Sequence, residues 1–334
     1  MRIAINGFGR IGLMIFRAYL ETEHPYLEIV AINDLGSIEQ NVHLLRYDSA
    51  HGPFKPSIQV QGSTLSCARG SIAMSHIPDP GQLPWVNQKV DLVLECSGHF
   101  NQREQAALHL QAGAKQVLVS APCDGADQTI VYGVNHQQLH RNIPILSNAS
   151  CTTNCLAPIA QILDQAFGIT MGSMTTIHSY TGDQRLVDTI HPDLRRARAA
   201  AHSMIPTTTG AAKAVGLVLP HLKGKLDGTS IRVPTLTVSL VDFQFVSQKP
   251  LTVQQINETV ERAANQTHVG ISAVNREPLV SCDFIHHPAS AIVDLTQTQV
   301  IEQYLGRVLA WYDNEWGFSN RMLDVASFLA TIGS

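Results

Sequence analysis

The chain has 334 residues, 44% of them apolar, 15% charged and 6% aromatic, enough apolar mass for a substantial core, which excludes disorder and collagen-like repeats. Lys plus Arg number 23 against 27 for Asp plus Glu, a net charge of −4 with a pI near 6.4. That balance supplies no basic field for nucleic acid or an anionic membrane, so a small-molecule partner is expected. Met1-Arg2 runs directly into Ile3-Ala4-Ile5 without a signal-peptide pattern, and no apolar run approaches the ~18 residues of a membrane span. Six scattered cysteines at 67, 96, 123, 151, 155 and 282 do not read as a disulfide framework, and reduced thiols in a cytoplasm are the expectation.

In chain order, Arg2 to Ile5 reads as a strand and Arg10 to Leu20 as an amphipathic helix carrying Ile11, Leu13, Met14 and Ile15. Strand signatures recur at Glu28 to Ile32, Asp91 to Glu95, Gln116 to Val119, Ile130 to Val134 and Ile145 to Ser147. Such alternation with helix-length stretches predicts a doubly wound, parallel α/β sheet of Rossmann type. Ile58 to His76, with short runs around Gly62 and Gly70, looks like an antiparallel excursion. Beyond residue 150, Met171 to Tyr180, Ile231 to Pro234 and Leu236 to Phe245 are longer and richer in Thr, Val and Ser, which suits an α+β domain with a large, mostly antiparallel or mixed sheet. Helices are expected at Thr152 to Phe167, Gly210 to Leu219, Val253 to Asn265 and Ser319 to Ala330. The division is therefore 1–150 and 151–314.

Gly7-Phe8-Gly9-Arg10-Ile11-Gly12 is a G-x-G-x-x-G motif between the first strand and the first helix, where glycines allow a tight turn and close approach of a pyrophosphate. Asp34 closes the second strand 22 residues beyond Gly12, at the place where a carboxylate accepts from an adenosine ribose and repels a 2′-phosphate. NAD is expected over NADP. Cys151 sits at a strand-to-helix junction, where a helix dipole stabilises a thiolate; a buried small residue is the plainer reading. Cys155, one turn later, should be a buried thiol. His178 lies in the apolar strand Met174 to Tyr180, where a lone histidine is more often hydrogen-bonded core than catalyst. Arg195-Arg196-Ala197-Arg198, Arg232 and Thr207-Thr208-Thr209-Gly210 are anion candidates, against the alternative of a solvated basic helix face and an ordinary cap. The fifteen histidines show no paired ligand spacing, so no metal site is expected.

Taken together, Asn6 to Gly12, Ser150-Cys151-Thr152-Thr153-Asn154-Cys155, the His178 strand, Thr209-Gly210-Ala211-Ala212-Lys213-Ala214, Arg232-Val233-Pro234-Thr235 and Trp311 to Gly317 resemble the phosphorylating glyceraldehyde-3-phosphate dehydrogenases, end to end and in order. The resemblance implies Cys151 as nucleophile and His178 as base, NAD on Gly7, Gly9, Arg10, Ile11, Gly12, Asp34, Ser120 and Asn314, and oxyanion stabilisation by the Cys151 amide. It implies substrate phosphate at Thr181, Asp183 and Arg232, and inorganic phosphate at Ser150, Thr152, Thr209, Gly210 and Arg196. It also implies a homotetramer, a phosphorylated aldehyde substrate, and a C-terminal helix, about 315 to 334, that returns to the nucleotide domain. Leu13 and Met14 depart from the family's usual polar residues and should affect only helix packing. Thr189-Ile190, in a loop that reaches a neighbouring subunit in this family, match neither usual cofactor pair.

Two alternatives stay open on sequence alone. Val131 to Asn135, His191 to Arg196, Ser290 to Asp294 and Asn320 to Asp324 look more like the sister erythrose-4-phosphate dehydrogenases, whereas Tyr180 to Arg185 and Thr209 to Lys213 favour the triose enzymes. A non-catalytic binding or regulatory protein on the same scaffold is the reading from another class.

Overall fold

A computed structural model describes residues 1–332 and divides the chain into two compact units, Met1–Ser150 together with the residues from Ser319 onward, and Cys151–Phe318. The first unit runs β1 (Arg2–Asn6), α1 (Arg10–Glu21), β2 (Glu28–Asn33), α2 (Ile38–Arg46), β3 (Gln59–Gln61), β4 (Thr64–Cys67), β5 (Gly70–Ser75), α3 (Trp85–Gln88), β6 (Leu92–Glu95), α4 (Arg103–Ala106), α5 (Leu108–Gln111), β7 (Gln116–Val119), β8 (Gln128–Thr129) and β9 (Ile145–Ser147). Its sheet has the order β3-β4-β5-β2-β1-β6-β7-β9-β8. From β5 to β8 all pairings are parallel, and β3 and β4 form the antiparallel excursion. The order reverses between β1 and β6, and such a switch point opens a crevice at the carboxyl ends of the strands.

Parallel strands covered on both faces must be apolar throughout, and Leu92, Val93, Leu94, Val117, Leu118 and Val119 are all fully buried. Leu13 and Met14 are buried as well, so the departures at those positions are packing residues of α1. The strand expected at Ile130 to Val134 does not form. Gly133 at φ 90 turns the chain, and the Asn135 side chain accepts from the Val131 N–H at 2.9 Å and donates to the Thr129 carbonyl at 2.9 Å, replacing ladder bonds with a local turn.

The second unit contains α6 (Cys151–Phe167), β10 (Ile169–Ser179), β11 (Ile205–Thr207), α7 (Ala211–Val218), β12 (Leu226–Val233), β13 (Ser239–Ser247), α8 (Val253–Gln266), β14 (Ser272–Asn275), β15 (Ala291–Ile301) and β16 (Leu305–Tyr312). Its seven-stranded sheet, ordered β11-β12-β10-β13-β16-β15-β14, is mixed: β10–β12 and β14–β15 are parallel and the other pairs antiparallel. Leu156, Ile159, Leu163 and Cys155 of α6 are buried; each large apolar side chain contributes about 1.5–3 kcal/mol. Gly168 at φ 71 ends α6, its N–H bonding the Asp164 carbonyl at 2.8 Å.

The final helix, α9 (Trp316–Thr331), begins in the second unit and ends in the first. Arg141 donates to the Leu329 and Ala330 carbonyls at 3.2 and 2.8 Å, and Phe328 packs edge-on against Tyr132 and His136. Residues 333 and 334 of the expected 315–334 helix lie outside the described residues.

Candidate active site

In the first unit, the fingerprint glycines do different things. Gly7 sits at φ 90, and a Cβ there would lie 2.4 Å from the Ser97 amide nitrogen; a Cβ on Gly12 would lie 2.1 Å from the Gly7 carbonyl oxygen. Both positions exclude any side chain. A Cβ on Gly9 would meet nothing within 4 Å, so its missing side chain leaves room for a ligand against the start of α1. Gly7 and Gly9 line a cavity of about 310 Å³ with Asn6, Asn33, Asp34 and Ser97. Asp34 accepts from the Phe8 N–H through Oδ2 at 2.8 Å and from the Gly36 N–H through Oδ1 at 2.8 Å. The acid is thus clamped to the fingerprint loop while keeping lone pairs for a ribose. Arg10 pairs with Asp48, Ile11 is half-buried in the first turn of α1, and Ser120 follows β7, its N–H on the Glu95 carbonyl at 2.9 Å.

The floor of this crevice is a buried polar chain that sequence reading did not single out. Glu95, 1% exposed, accepts from Asn6 Nδ2 at 2.6 Å, from His109 Nε2 at 2.8 Å and from the Ser97 N–H at 2.8 Å, and also from the Ser97 hydroxyl. Trp85 Nε1–H donates to His109 Nδ1 at 3.1 Å, which puts the ring proton on Nε2, facing the carboxylate. Asn33 extends the chain, donating to Asn6 Oδ1 at 2.8 Å and to the Ile77 carbonyl at 2.9 Å.

In the second unit, Cys151 opens α6 two residues after Ala149, which is held at φ 55, a backbone region costly for alanine. His178 comes from the end of β10, where Met174, Thr176 and His178 alternate onto the buried face. His178 Nε2 lies 3.4 Å from Cys151 Sγ. Nδ1 lies 2.7 Å from the Ser179 carbonyl oxygen and 3.0 Å from Arg232 Nη1; the two Nη1 hydrogens go to the Ser179 carbonyl and to Thr181 Oγ1, and a carbonyl only accepts, which assigns the ring proton to Nδ1 and turns the Nε2 lone pair to the thiol. Burial, and next the Arg232 charge, push the His178 pKa down to about 3.

Burial raises the Cys151 pKa, with Arg232, the Thr152 hydroxyl and the Thr152 amide pulling the other way; desolvation outweighs the dipole. Burial thus favours the thiol over the thiolate at Cys151. Cys155 is fully buried, as expected.

Arg232 Nη1 donates to the Ser179 carbonyl and to Thr181 Oγ1, both at 3.1 Å. Arg232 makes no ion pair among the described residues, and its buried Nε has no partner there, so the guanidinium has unspent capacity for an anion. Asp183 accepts from the Thr181 hydroxyl and pairs with Arg196 at 2.6 Å. Burial raises the Asp183 pKa, but the Thr181 bond and the charges of Arg232 and Arg196 outweigh it and hold the carboxyl below its ordinary value. Arg196 Nε also donates to Thr207 Oγ1 at 3.1 Å. The basic run is not a helix face: Asp193 Oδ1 accepts from the Arg195 and Arg196 amides at 2.9 and 3.4 Å, and Arg198 pairs with Asp188 at 2.6 Å, a turn shaped by aspartates.

Thr209 Oγ1 accepts from the Ala211 N–H at 3.2 Å, and Gly210 caps α7 with open space over its Cα. Thr153 Oγ1, in the first turn of α6, donates to the Ala211 carbonyl at 3.4 Å, which brings the two helix starts together. Thr152 Oγ1 lies 2.9 Å from the Tyr312 hydroxyl, itself 2.8 Å from Thr176 Oγ1, and the Tyr312 ring stands edge-on to His178 at 6.0 Å. Asn314 Oδ1 accepts from Ser179 and Ser239 hydroxyls at 2.9 and 3.0 Å, which fixes the orientation of the amide. Tyr312, Ser179 and Ser239 were missed by sequence reading; Tyr312 lay inside a quoted motif but carried no spacing signal of its own.

Comparison with known proteins gives a consistent result. The family model described as "Glyceraldehyde 3-phosphate dehydrogenase, NAD binding domain" matches residues 1–103, and the one described as "Glyceraldehyde 3-phosphate dehydrogenase, C-terminal domain" matches residues 150–314. The chain is 56% identical over 333 residues to the glyceraldehyde-3-phosphate dehydrogenase of Xanthobacter flavus, covering 100% of this chain and 99% of that one. It is 56% identical over 326 residues to that of Cereibacter sphaeroides, covering 98% and 97%, and 49% identical over 334 residues to that of Geobacillus stearothermophilus, covering 100% and 99%. With a crevice whose open glycine and clamped acid fit NAD, the chain belongs to the glyceraldehyde-3-phosphate dehydrogenase family and is an NAD-dependent dehydrogenase.

Proposed function

We propose that this enzyme oxidises and phosphorylates D-glyceraldehyde 3-phosphate to 1,3-bisphosphoglycerate. The observation that carries the proposal is the 3.4 Å approach of Cys151 Sγ to a His178 Nε2 whose tautomer leaves it a base. Cys151 attacks the aldehyde as its proton passes to His178, which returns it to the developing alkoxide, giving a thiohemiacetal. The Cys151 amide stabilises that oxygen. When bound, NAD supplies the hydride acceptor. His178 takes the hydroxyl proton in the oxidation, and the product is a thioester on Cys151. Attack by inorganic phosphate releases the acyl phosphate, and the thiolate recovers its proton from His178.

Gly7, Gly9, Arg10, Ile11, Gly12, Asp34 and Ser120 hold NAD, and Asn314 turns its NH₂ to the nicotinamide amide. Arg232 and Thr181 receive the substrate phosphate. Asp183 has only acceptor oxygens, already taken by Thr181 and Arg196, so its part is to orient those donors. Ser150, Thr152, Thr209 and Gly210 receive the attacking phosphate, with Arg196 adding charge. Leu186, Val187, Ile190, Leu194 and Met204 are each more than two-thirds exposed, which supports a homotetramer that covers this segment; light scattering on the purified protein tests it. No helix among the described residues is long and apolar enough to cross a membrane, and the cytoplasm is the proposed compartment.

The experiment is the initial rate of NADH formation with glyceraldehyde 3-phosphate or erythrose 4-phosphate, each with and without inorganic phosphate. A phosphate-dependent rate favouring the triose supports the proposal. Preference for erythrose 4-phosphate, or indifference to phosphate, would move the chain to the sister activity with water as acyl acceptor.

A further inference from the structure

Asp34 is the residue on which the preference for NAD is proposed to turn, and its carboxylate is not a free side chain. Oδ2 is held by the Phe8 amide and Oδ1 by the Gly36 amide, and a third donor comes from α2. Asn41 is only 4% exposed. Its Nδ2 lies 3.2 Å from the Gly36 carbonyl oxygen and 3.4 Å from Asp34 Oδ1, so its two hydrogens serve the acid and the loop that follows it. The placement of Asn41 is in turn fixed by the start of α2, where Ser37 and Gln40 form a reciprocal capping box. Gly36 fits between them: a Cβ there would stand 3.1 Å from Asp34 Oδ1 and 3.6 Å from Asn41 Nδ2.

A carboxylate that reads ribose hydroxyls must present its remaining lone pairs in one direction, and a carboxylate free to rotate could swing away from a 2′-phosphate and tolerate it. We infer that Asn41 is a positioning residue for cofactor specificity, holding the Asp34 carboxylate in the orientation that accepts NAD and rejects NADP. The inference rests on the reading of Asp34 as the ribose ligand and extends it to a second residue, which acts on that carboxylate.

The test compares the wild-type enzyme with Asn41→Leu, Asn41→Asp and Asp34→Ala, measuring kcat and KM with NAD and with NADP, and the melting temperature without cofactor. Asn41→Leu removes the donors at similar volume. It should raise the KM for NAD about three- to tenfold while kcat stays nearly constant, and lower the NAD-to-NADP ratio of kcat/KM. Asn41→Asp keeps the size and adds a like charge beside Asp34. Its defect should grow as pH rises and shrink in acid, where a shared proton restores a donor; a general packing defect would not follow pH in this way. Unchanged cofactor ratios in both Asn41 variants, while Asp34→Ala relaxes the preference, would overturn the role of Asn41 alone. An unchanged ratio in Asp34→Ala would overturn the reading of Asp34 and this inference with it.

Discussion

His109 of the first unit and His178 of the second are both buried in polar networks, and the two are wired differently. His109 is fully buried with both ring nitrogens spent, one accepting from Trp85 and the other donating to Glu95. His178 is 4% exposed, with Nδ1 spent on the Ser179 carbonyl and Nε2 aimed at a thiol 3.4 Å away. A histidine whose two nitrogens are locked in strong bonds braces structure, because moving its proton breaks something. One whose lone pair meets a weak donor has the geometry to take a proton without breaking a strong bond. The contrast supports His178, and not His109, as the proposed base without appeal to sequence position.

The comparison can be broken in four ways. The largest effect is expected of Cys151→Ser, which should lower NADH formation by about 10⁴-fold or more in a coupled-free spectrophotometric assay with NAD binding intact. His178→Asn should cost about 10²- to 10⁴-fold in kcat. Because burial raises the Cys151 pKa, the residual rate of that variant should climb with pH as thiolate forms unaided. In the wild type, burial and Arg232 hold His178 near about 3 against an ordinary 6.5, so its titration imposes no acid limb on kcat/KM near pH 6.5. The unfolded chain takes up a proton in that window that the folded chain refuses, so this residue lowers stability as pH falls from 6.5 towards 3; thermal melts of wild type and His178→Asn across that range check the sign. Glu95→Gln inverts the expectation: both Glu95 oxygens face donors, and an amide NH₂ in place of one of them leaves buried donors unsatisfied, which should cost about 1–3 kcal/mol of stability in denaturant unfolding. Protein that remains folded should keep its thiohemiacetal chemistry. The smallest effect is that of Arg232→Met, expected to raise the aldehyde KM about tenfold to a hundredfold through loss of charged phosphate bonds.

Much of the first unit is legible in the sequence because glycine sterics act locally: Gly7 and Gly12 announce a strand-turn-helix wherever the backbone packs so closely. The Ile130 to Val134 run misleads because an apolar segment can be buried as a turn once Asn135 supplies the hydrogen bonds. In the second unit, Cys151 and His178 are 27 positions apart, and no periodicity links them; only the resemblance did. The burial around Cys151 was not legible, because a helix terminus is visible in a sequence and desolvation is not. Asn41 and Glu95 escaped for the same reason, each being an ordinary polar residue until its surroundings are known.

The most direct measurement is rapid mixing of the enzyme with glyceraldehyde 3-phosphate and NAD without inorganic phosphate, followed by mass mapping of the cysteine-containing peptides. A burst of one NADH per chain, with an acyl group on the Cys151 peptide that phosphate then discharges, is the result the account predicts. Turnover with Cys151 unmodified, or an acyl group carried by another cysteine, would contradict it.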